Sequence, residues 1–412
     1  MKAQTVKTAA LMASFACTFC GSLRSEQNTG RDEYLSSYEL VKSYTKEEIT
    51  MTLTQMSMIF PQLKAAKDKA QHGIEVYQVA YSTTFQGKKR AASGLVCVPV
   101  GDGRFPLFSF QNGTNTLHRG APSVDPNNRL FVLVEFMAST GFVMVMPDYL
   151  GFGKASDMFH PYLHRKSTVR SVVDMNRAAR ELVTNHLAGK RKIAMSRDIY
   201  LNGYSQGAWA SLQVQREMEE NLAKEFNLKA SSCGAGPYDL NYMNEYILNL
   251  ESYPMPYYLG YIFSGFSKAG ELKVVAKDLF KEPFASRVGG LFDGTRTGGQ
   301  INAQLTTKIK EFVSPDYFAN HKTGPKYAAL AKLMAANSVT AWKTKTPTKL
   351  FHGLDDNFIA KGVSEKMHKD FIKLGVSPDL VQYIPLPGLN HESAILPAQL
   401  ATFNWFLEIK GE

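Results

Sequence analysis

Ile199-Tyr200-Leu201-Asn202-Gly203-Tyr204-Ser205-Gln206-Gly207-Ala208-Trp209 decides how the rest of the chain is read. An apolar run suited to a buried strand ends in Gly203-Tyr204-Ser205-Gln206-Gly207, and helix-forming sequence over 208–222 follows at once. A serine between strand and helix, flanked two residues away by glycine on both sides, marks a strained turn that lifts a hydroxyl out of a sheet. A side chain at Gly203 or Gly207 would strike the adjoining helix or strand, so both elbow positions need glycine. The five-residue pattern is common by itself. Its strand–turn–helix setting makes it specific.

Downstream, Lys349-Leu350-Phe351-His352-Gly353-Leu354-Asp355-Asp356 reads as a short buried strand ending in a turn that carries two carboxylates. Later, Val381-Gln382-Tyr383-Ile384-Pro385-Leu386 reads as a last strand, followed by a loop, Pro387-Gly388-Leu389-Asn390-His391. Serine, then acid, then histidine is the chain order of α/β-hydrolases. In their H-G-x-x-D-x-x-V pattern the acid stands four residues after the histidine, and His352, Asp356 and Ile359 occupy that frame. Asp356 is therefore preferred to Asp355, which also fits a turn or helix N-cap. Asp239, after the preceding strand, is a remote third candidate.

Two further stretches extend the resemblance. Pro106-Leu107-Phe108-Ser109-Phe110-Gln111-Asn112-Gly113-Thr114 looks like the strand and loop that donate part of an oxyanion hole, with Asn112-Gly113 where hydrolases commonly carry His-Gly. The resemblance implies backbone donors at Gly113 or Thr114 and at Gln206, the residue after the nucleophile. Pro147-Asp148-Tyr149-Leu150-Gly151 followed by His160-Pro161-Tyr162 resembles the secretory, lipase-A-like lipases. It covers roughly 75–240 and 340–410. Asp148 reads as a carboxylate clasping a loop, and His160 and His164 as loop hydrogen-bonders.

Hydrophobic patterning leads to the same architecture independently. Strand-like runs fall at 74–82, 94–100, 105–110, 142–146, 198–203, 230–234, 348–352 and 381–386. Several are continuously apolar, as in strands covered on both faces. Helix-period stretches at 129–139, 168–187, 208–222, 358–374 and 393–407 alternate with them. The expected fold is α/β, of α/β-hydrolase type, with a mostly parallel eight-stranded sheet flanked by helices. A helical cap is expected after the sixth strand. The expected organisation is a signal peptide over 1–20, an N-terminal helical extension over 21–73 with helices at 44–58 and 63–71, a core over 74–240 and 346–412, and a cap or lid over 241–345.

The first part of that insertion is aromatic: Tyr242, Tyr246, Tyr253, Tyr257, Tyr258, Tyr261, Phe263 and Phe266, with Met255 among them. Such a set either walls an acyl or aryl site or gives a small helical cap its own core. The glycine-rich stretch 289–299 reads as a lid hinge or an exposed connector.

The N-terminus is basic over 1–7 and apolar over 8–19, too short to span a bilayer, which is the pattern of an export signal. Export is expected, to the periplasm or the medium; a lipid anchor on Cys17 or Cys20 is the alternative. Cys97 and Cys233 fall on well-separated strands and read as buried free thiols. The 412-residue chain carries 47 Lys and Arg against 37 Asp and Glu, a net charge of +10. The basic residues form only short clusters, Lys88-Lys89-Arg90 and Lys190-Arg191-Lys192, without the aromatic interleaving of a nucleic-acid surface. Peripheral contact with anionic surfaces is compatible with this charge. No metal or cofactor motif stands out.

The resemblance implies hydrolysis of lipid or other small carboxylic esters, with Ser205 as nucleophile, His391 as base and then acid, and Asp356 as its orienter. A carbohydrate acetyl or feruloyl esterase, a serine peptidase of the same fold and a non-enzymatic binding module are the alternatives.

Overall fold

A computed structural model describes residues 26–27, 32–63 and 68–411. The expected signal segment, Cys17, Cys20 and much of the expected 63–71 helix lie outside these residues. Ten strands form one sheet in the order β1-β2-β3-β4-β6-β5-β7-β8-β9-β10. They are β1 Glu26–Gln27, β2 Leu35–Tyr44, β3 Gly73–Phe85, β4 Lys88–Val100, β5 Gly103–Gln111, β6 Val143–Pro147, β7 Ile193–Tyr204, β8 Asn227–Gly234, β9 Thr348–Gly353 and β10 Val381–Leu386. From β6 across to β10 every pairing is parallel, while β1 to β4, and β4 with β6, pair antiparallel.

Two features correct the sequence expectation. The sheet has ten strands rather than eight, because the stretch expected to be helical contributes two, the short β1 and β2, a ten-residue strand along β3. Register shifts at Leu35/Ser37 and Leu40/Lys42 break the two-residue alternation that would reveal a strand in sequence. The helix Lys46–Ile59 of that stretch follows expectation; Thr45 caps it with a reciprocal bond pair to Glu48. The insertion follows the strand expected as the sixth, which with these two becomes β8.

Helices cover both faces, giving three layers. One face packs Arg165–Glu181, Gln206–Asn221 and Lys361–Lys373 against the sheet, together with the insert. The other packs Lys46–Ile59, Arg129–Phe136 and Ile395–Lys410. There Phe108, Phe142, Tyr200 and Phe406 meet at ring separations between 5.1 and 5.6 Å. Each such buried ring contributes about 1.5–3 kcal/mol of apolar burial. Glu135, fully buried on this face, is met by Lys42 of β2 at 3.4 Å.

Register aligns the ends that matter. Gln111 of β5 lies beside Gly203, Tyr204 beside Gly234, Gly234 beside Phe351, and Gly353 beside Leu386. Parallel strands so aligned bring the loops after β5, β7, β9 and β10 to one edge.

Candidate active site

Ser205 sits between β7 and the helix Gln206–Asn221 with φ 58° and ψ −123°, a left-handed backbone that a side chain adopts only under constraint. Its N–H donates to Gly234 O at 2.7 Å, and its carbonyl accepts from Ala208 and Trp209, so the turn is fastened to β8 and to its own helix. A Cβ at Gly203 would run into the Gly207 backbone, and one at Gly207 into Gln111 O. Both elbow glycines are therefore steric necessities. The turn also sets Ser205 at a helix N-terminus, where unpaired N–H groups and the helix dipole favour negative charge.

His391 follows β10, and its Nδ1–H donates to Asp356 Oδ2 at 2.7 Å. That leaves Nε2 as the ring nitrogen free to serve Ser205. Tyr204, next to the serine, donates its hydroxyl to His391 O at 2.7 Å and so holds the histidine loop from beneath. Asp356 Oδ1 accepts from Phe358 N at 2.8 Å and Ile359 N at 2.9 Å. Burial by itself would raise this carboxyl, but hydrogen bonds and charge from His352 and His391 outweigh it and hold Asp356 well below the usual carboxylate range.

The rival acids lie elsewhere. Asp355 is exposed, and its N–H donates to Leu389 O. Asp239 caps the helix Leu240–Leu248 by accepting from Tyr242 N at 3.0 Å and pairs with Lys366 at 3.2 Å.

Ser205, His391, Gly113 and Thr114 line one cavity of about 500 Å³. A Cβ built on Gly113 would stand 3.8 Å from Ser205 Cβ, so the β5 loop passes directly over the serine. Thr114 Oγ1 pairs with Tyr162 OH at 2.8 Å, and Tyr261 of the insert donates to Asn115 O at 2.9 Å. Tyr162 and Tyr261 stack at 4.3 Å. These clamps brace the loop that carries the expected first oxyanion donor.

Gln206 is braced as well. His160 Nδ1–H donates to Leu150 O at 2.7 Å, so its Nε2 accepts from Gln206 Nε2 at 3.0 Å. Burial, opposed by these two hydrogen bonds, pushes His160 down to about 4, which keeps the ring neutral and accepting. His160, expected as a loop hydrogen-bonder, is brought by the fold onto the residue after the serine. His352 was likewise only part of a frame. In the structure its Nε2 lies 3.2 Å from Asp356 Oδ2 and 3.0 Å from Ile359 O, and its Nδ1 lies 2.7 Å from Ser364 Oγ. The four-residue spacing to Asp356 was the available signal.

The aromatic insert divides. Tyr257, Tyr258 and Met255 line the cavity beside Ser205. Tyr253, Phe263 and Phe266 are buried in the insert's own packing, with Tyr253 OH donating to Phe358 O at 2.8 Å. Tyr261 clamps the β5 loop instead. Asp148 takes hydrogen bonds from Ser93 Oγ at 2.5 Å and Ser123 N at 2.8 Å. Cys97 and Cys233 are buried and unbridged.

No family model and no curated protein matches the chain. Solved structures do. A Legionella pneumophila protein described as a hydrolase superposes with a TM-score of 0.80 at 23% identity, covering 92% of this chain and 99% of that one. The rice cell wall degrading esterase LipA of Xanthomonas oryzae gives 0.76 at 24% identity, covering 92% and 97%. Candida antarctica lipase A in its closed state gives 0.61 at 17% identity, covering 89% and 82%. The chain thus has the α/β-hydrolase fold, and its structure is similar to lipase-A-like proteins.

Proposed function

We propose that this protein hydrolyses carboxylic esters through Ser205, His391 and Asp356. The observation that carries the reading is the Asp356–His391 hydrogen bond at 2.7 Å, with His391 and the strained Ser205 on one cavity. Asp356 holds His391 with Nδ1 protonated, so Nε2 is the base. Ser205 Oγ attacks the acyl carbonyl while its proton passes to His391 Nε2. The tetrahedral oxyanion takes hydrogen bonds from Gln206 N–H and from Gly113 or Thr114 N–H, and sits on the positive end of the helix Gln206–Asn221. Collapse breaks the C–O bond, and His391 returns the proton to the departing alcohol. Water, activated by His391, then cleaves the acyl-enzyme, and Ser205 regains its proton.

The test is turnover of p-nitrophenyl esters and labelling by a fluorophosphonate, each compared with Ser205→Ala. Ester turnover and labelling that both vanish in the variant support the reading. Labelling without ester turnover points to a peptidase, and neither points to a binding module. Release of acetate or ferulate from polysaccharide, without turnover of simple alkyl esters, favours the carbohydrate esterase.

Export belongs to the same reading and rests on the basic and apolar N-terminal segment. An intact mass of the mature chain tests it, and added lipid mass would assign the anchor.

A further inference from the structure

A second hollow opens on the flank of the sheet. Thr84 to Gly87, at the tip of the hairpin joining β3 and β4, form one wall, and Arg165, Lys166 and Arg170 of the helix Arg165–Glu181 form another. Glu217 and Leu222 complete it from the helix Gln206–Asn221 and its cap, and Leu333 and Ala336 from the helix Pro325–Asn337. The groove measures about 990 Å³, and neither Ser205 nor His391 lines it. Gly94 of β4 pairs with Pro147 at the carboxyl end of β6, so the hairpin tip projects past the edge that carries the serine. The groove and the serine site also share one loop. His164 lines the groove, while Tyr162, two residues earlier, pairs with Thr114 at 2.8 Å.

The charges here are unequal. Among the described residues no carboxylate pairs with Arg165 or Lys166, and Arg170 reaches Asp174 only at 4.0 Å, with its own side chain 54% exposed. Exposed Lys88 and Lys89 follow Gly87, and exposed Lys268 precedes Ala269, whose carbonyl accepts from Gln86 at 2.7 Å. Arg177 is taken by Asp174 and Glu225 at 3.1 and 2.7 Å, and Glu271 by His164 at 3.0 Å. That leaves Glu217 as the unpaired acid of the lining among the described residues. Lys166 and Arg170 stand one helical turn apart, a like-charge spacing that destabilises the helix until an anion answers it.

The remaining groups narrow the class of anion. Glu217 and the Oε1 of Gln86 are acceptors, which a hydroxyl satisfies and a phosphodiester, having no donor, does not. Leu222, Leu333 and Ala336 give a partly exposed apolar floor suited to the C–H face of a sugar ring. A planar membrane cannot enter a groove walled by a hairpin and three helices. Stacked bases need exposed rings, and Phe85, the phenyl ring of the lining, is buried. We propose that this groove binds a chain of an acidic, uronate-bearing polysaccharide. Its carboxylates meet Arg165, Lys166 and Arg170, the two guanidinium groups offering bidentate pairing, and its hydroxyls donate to Glu217 and Gln86. The chain then lies beside the serine edge and keeps the protein on the polysaccharide without occupying the Ser205 cavity.

The experiment is fluorescence anisotropy of a fluorescein-labelled oligogalacturonate titrated with the wild-type protein, Lys166→Glu/Arg170→Glu and Lys192→Glu/Lys369→Glu. The second pair is exposed, changes the net charge equally and does not line the groove. The expected result is saturable wild-type binding, weakened more than about tenfold by the groove pair and less than about twofold by the other. Arg165→Ala, which keeps its backbone bond to Asn337, should weaken binding as well, and thermal melting shows each variant folded. Equal weakening by the two pairs overturns the proposal, because net charge alone then draws the polymer. Absent wild-type binding at low salt overturns it too. Displacement of the probe by polyglutamate or by phosphatidylglycerol vesicles more readily than by polygalacturonate overturns it in favour of an acidic peptide or a membrane. The titration involves no turnover, so either result leaves the ester-hydrolase reading to its own test.

Discussion

His352 and His391 converge on the same atom: both ring nitrogens face Oδ2 of Asp356, at 3.2 and 2.7 Å. Oδ2 thus accepts from His391 and lies against His352, whose Nε2 also bonds Ile359 O at 3.0 Å, while Oδ1 is committed to backbone amides. In the proposed mechanism His352 positions Asp356 and, through it, the imidazole of His391.

His352→Ala should therefore lower kcat roughly tenfold with KM little changed, since it removes an orienting bond and not a substrate contact. Steady-state kinetics with a thermal melt read this; an unchanged kcat in a folded variant would leave His352 a packing residue only.

Asp355→Asn should keep activity within about threefold, whereas Asp356→Asn should lose roughly 10³–10⁴ in kcat, as expected when the base is left in the wrong tautomer. Asp356 also contributes stability. Its folded pKa is depressed, so that contribution is complete above the unfolded value of about 3.9 and is lost as pH falls through the folded one. The denaturation midpoint of Asp356→Asn should differ from wild type at neutral pH and approach it in strong acid.

His160→Leu should leave the Gln206 amide without its acceptor and cost roughly tenfold in kcat through the mobility of the residue that carries an oxyanion donor. With His160 pushed to about 4, the native state resists protonation. Wild-type stability should fall as pH drops from about 6.5 toward 4. The variant should lack that component in pH-dependent melting curves.

Glu135 gives the opposite slope. Burial raises its carboxyl to about 7 despite the attraction of Lys42. The native state therefore binds this proton more tightly than the unfolded chain, whose Glu titrates near 4.3, and stability falls as pH rises between about 4.3 and 7. Glu135→Gln should flatten the curve in that window. An identical pH dependence in the two proteins would contradict this assignment.

Much of the sheet was visible in the chain because continuous apolar runs such as Val143–Pro147, buried on both faces, announce parallel strands. The elbow was visible because its glycines answer a local steric demand. What stayed hidden depends on distant partners. β2 has a mixed, bulged pattern that only its pairing with β3 explains. His160 reaches Gln206 across 46 positions, and Tyr204 reaches His391 across 187, with no trace in local spacing. The cavity at Ser205 was hidden for the same reason. Its leucines and phenylalanines read as ordinary core, and nothing in a helix pattern says which core positions face an empty space.

The cavity at Ser205 also brings Leu53 of an early helix to the same space as Phe403 of the last one. No subset of the intervening chain can close that space by itself. Contacts between such widely separated positions form late in folding, after the loop entropy of everything between has been lost. While the chain is being synthesised, the Ser205 turn can therefore be complete before His391 and the last helix that walls the same space have been made.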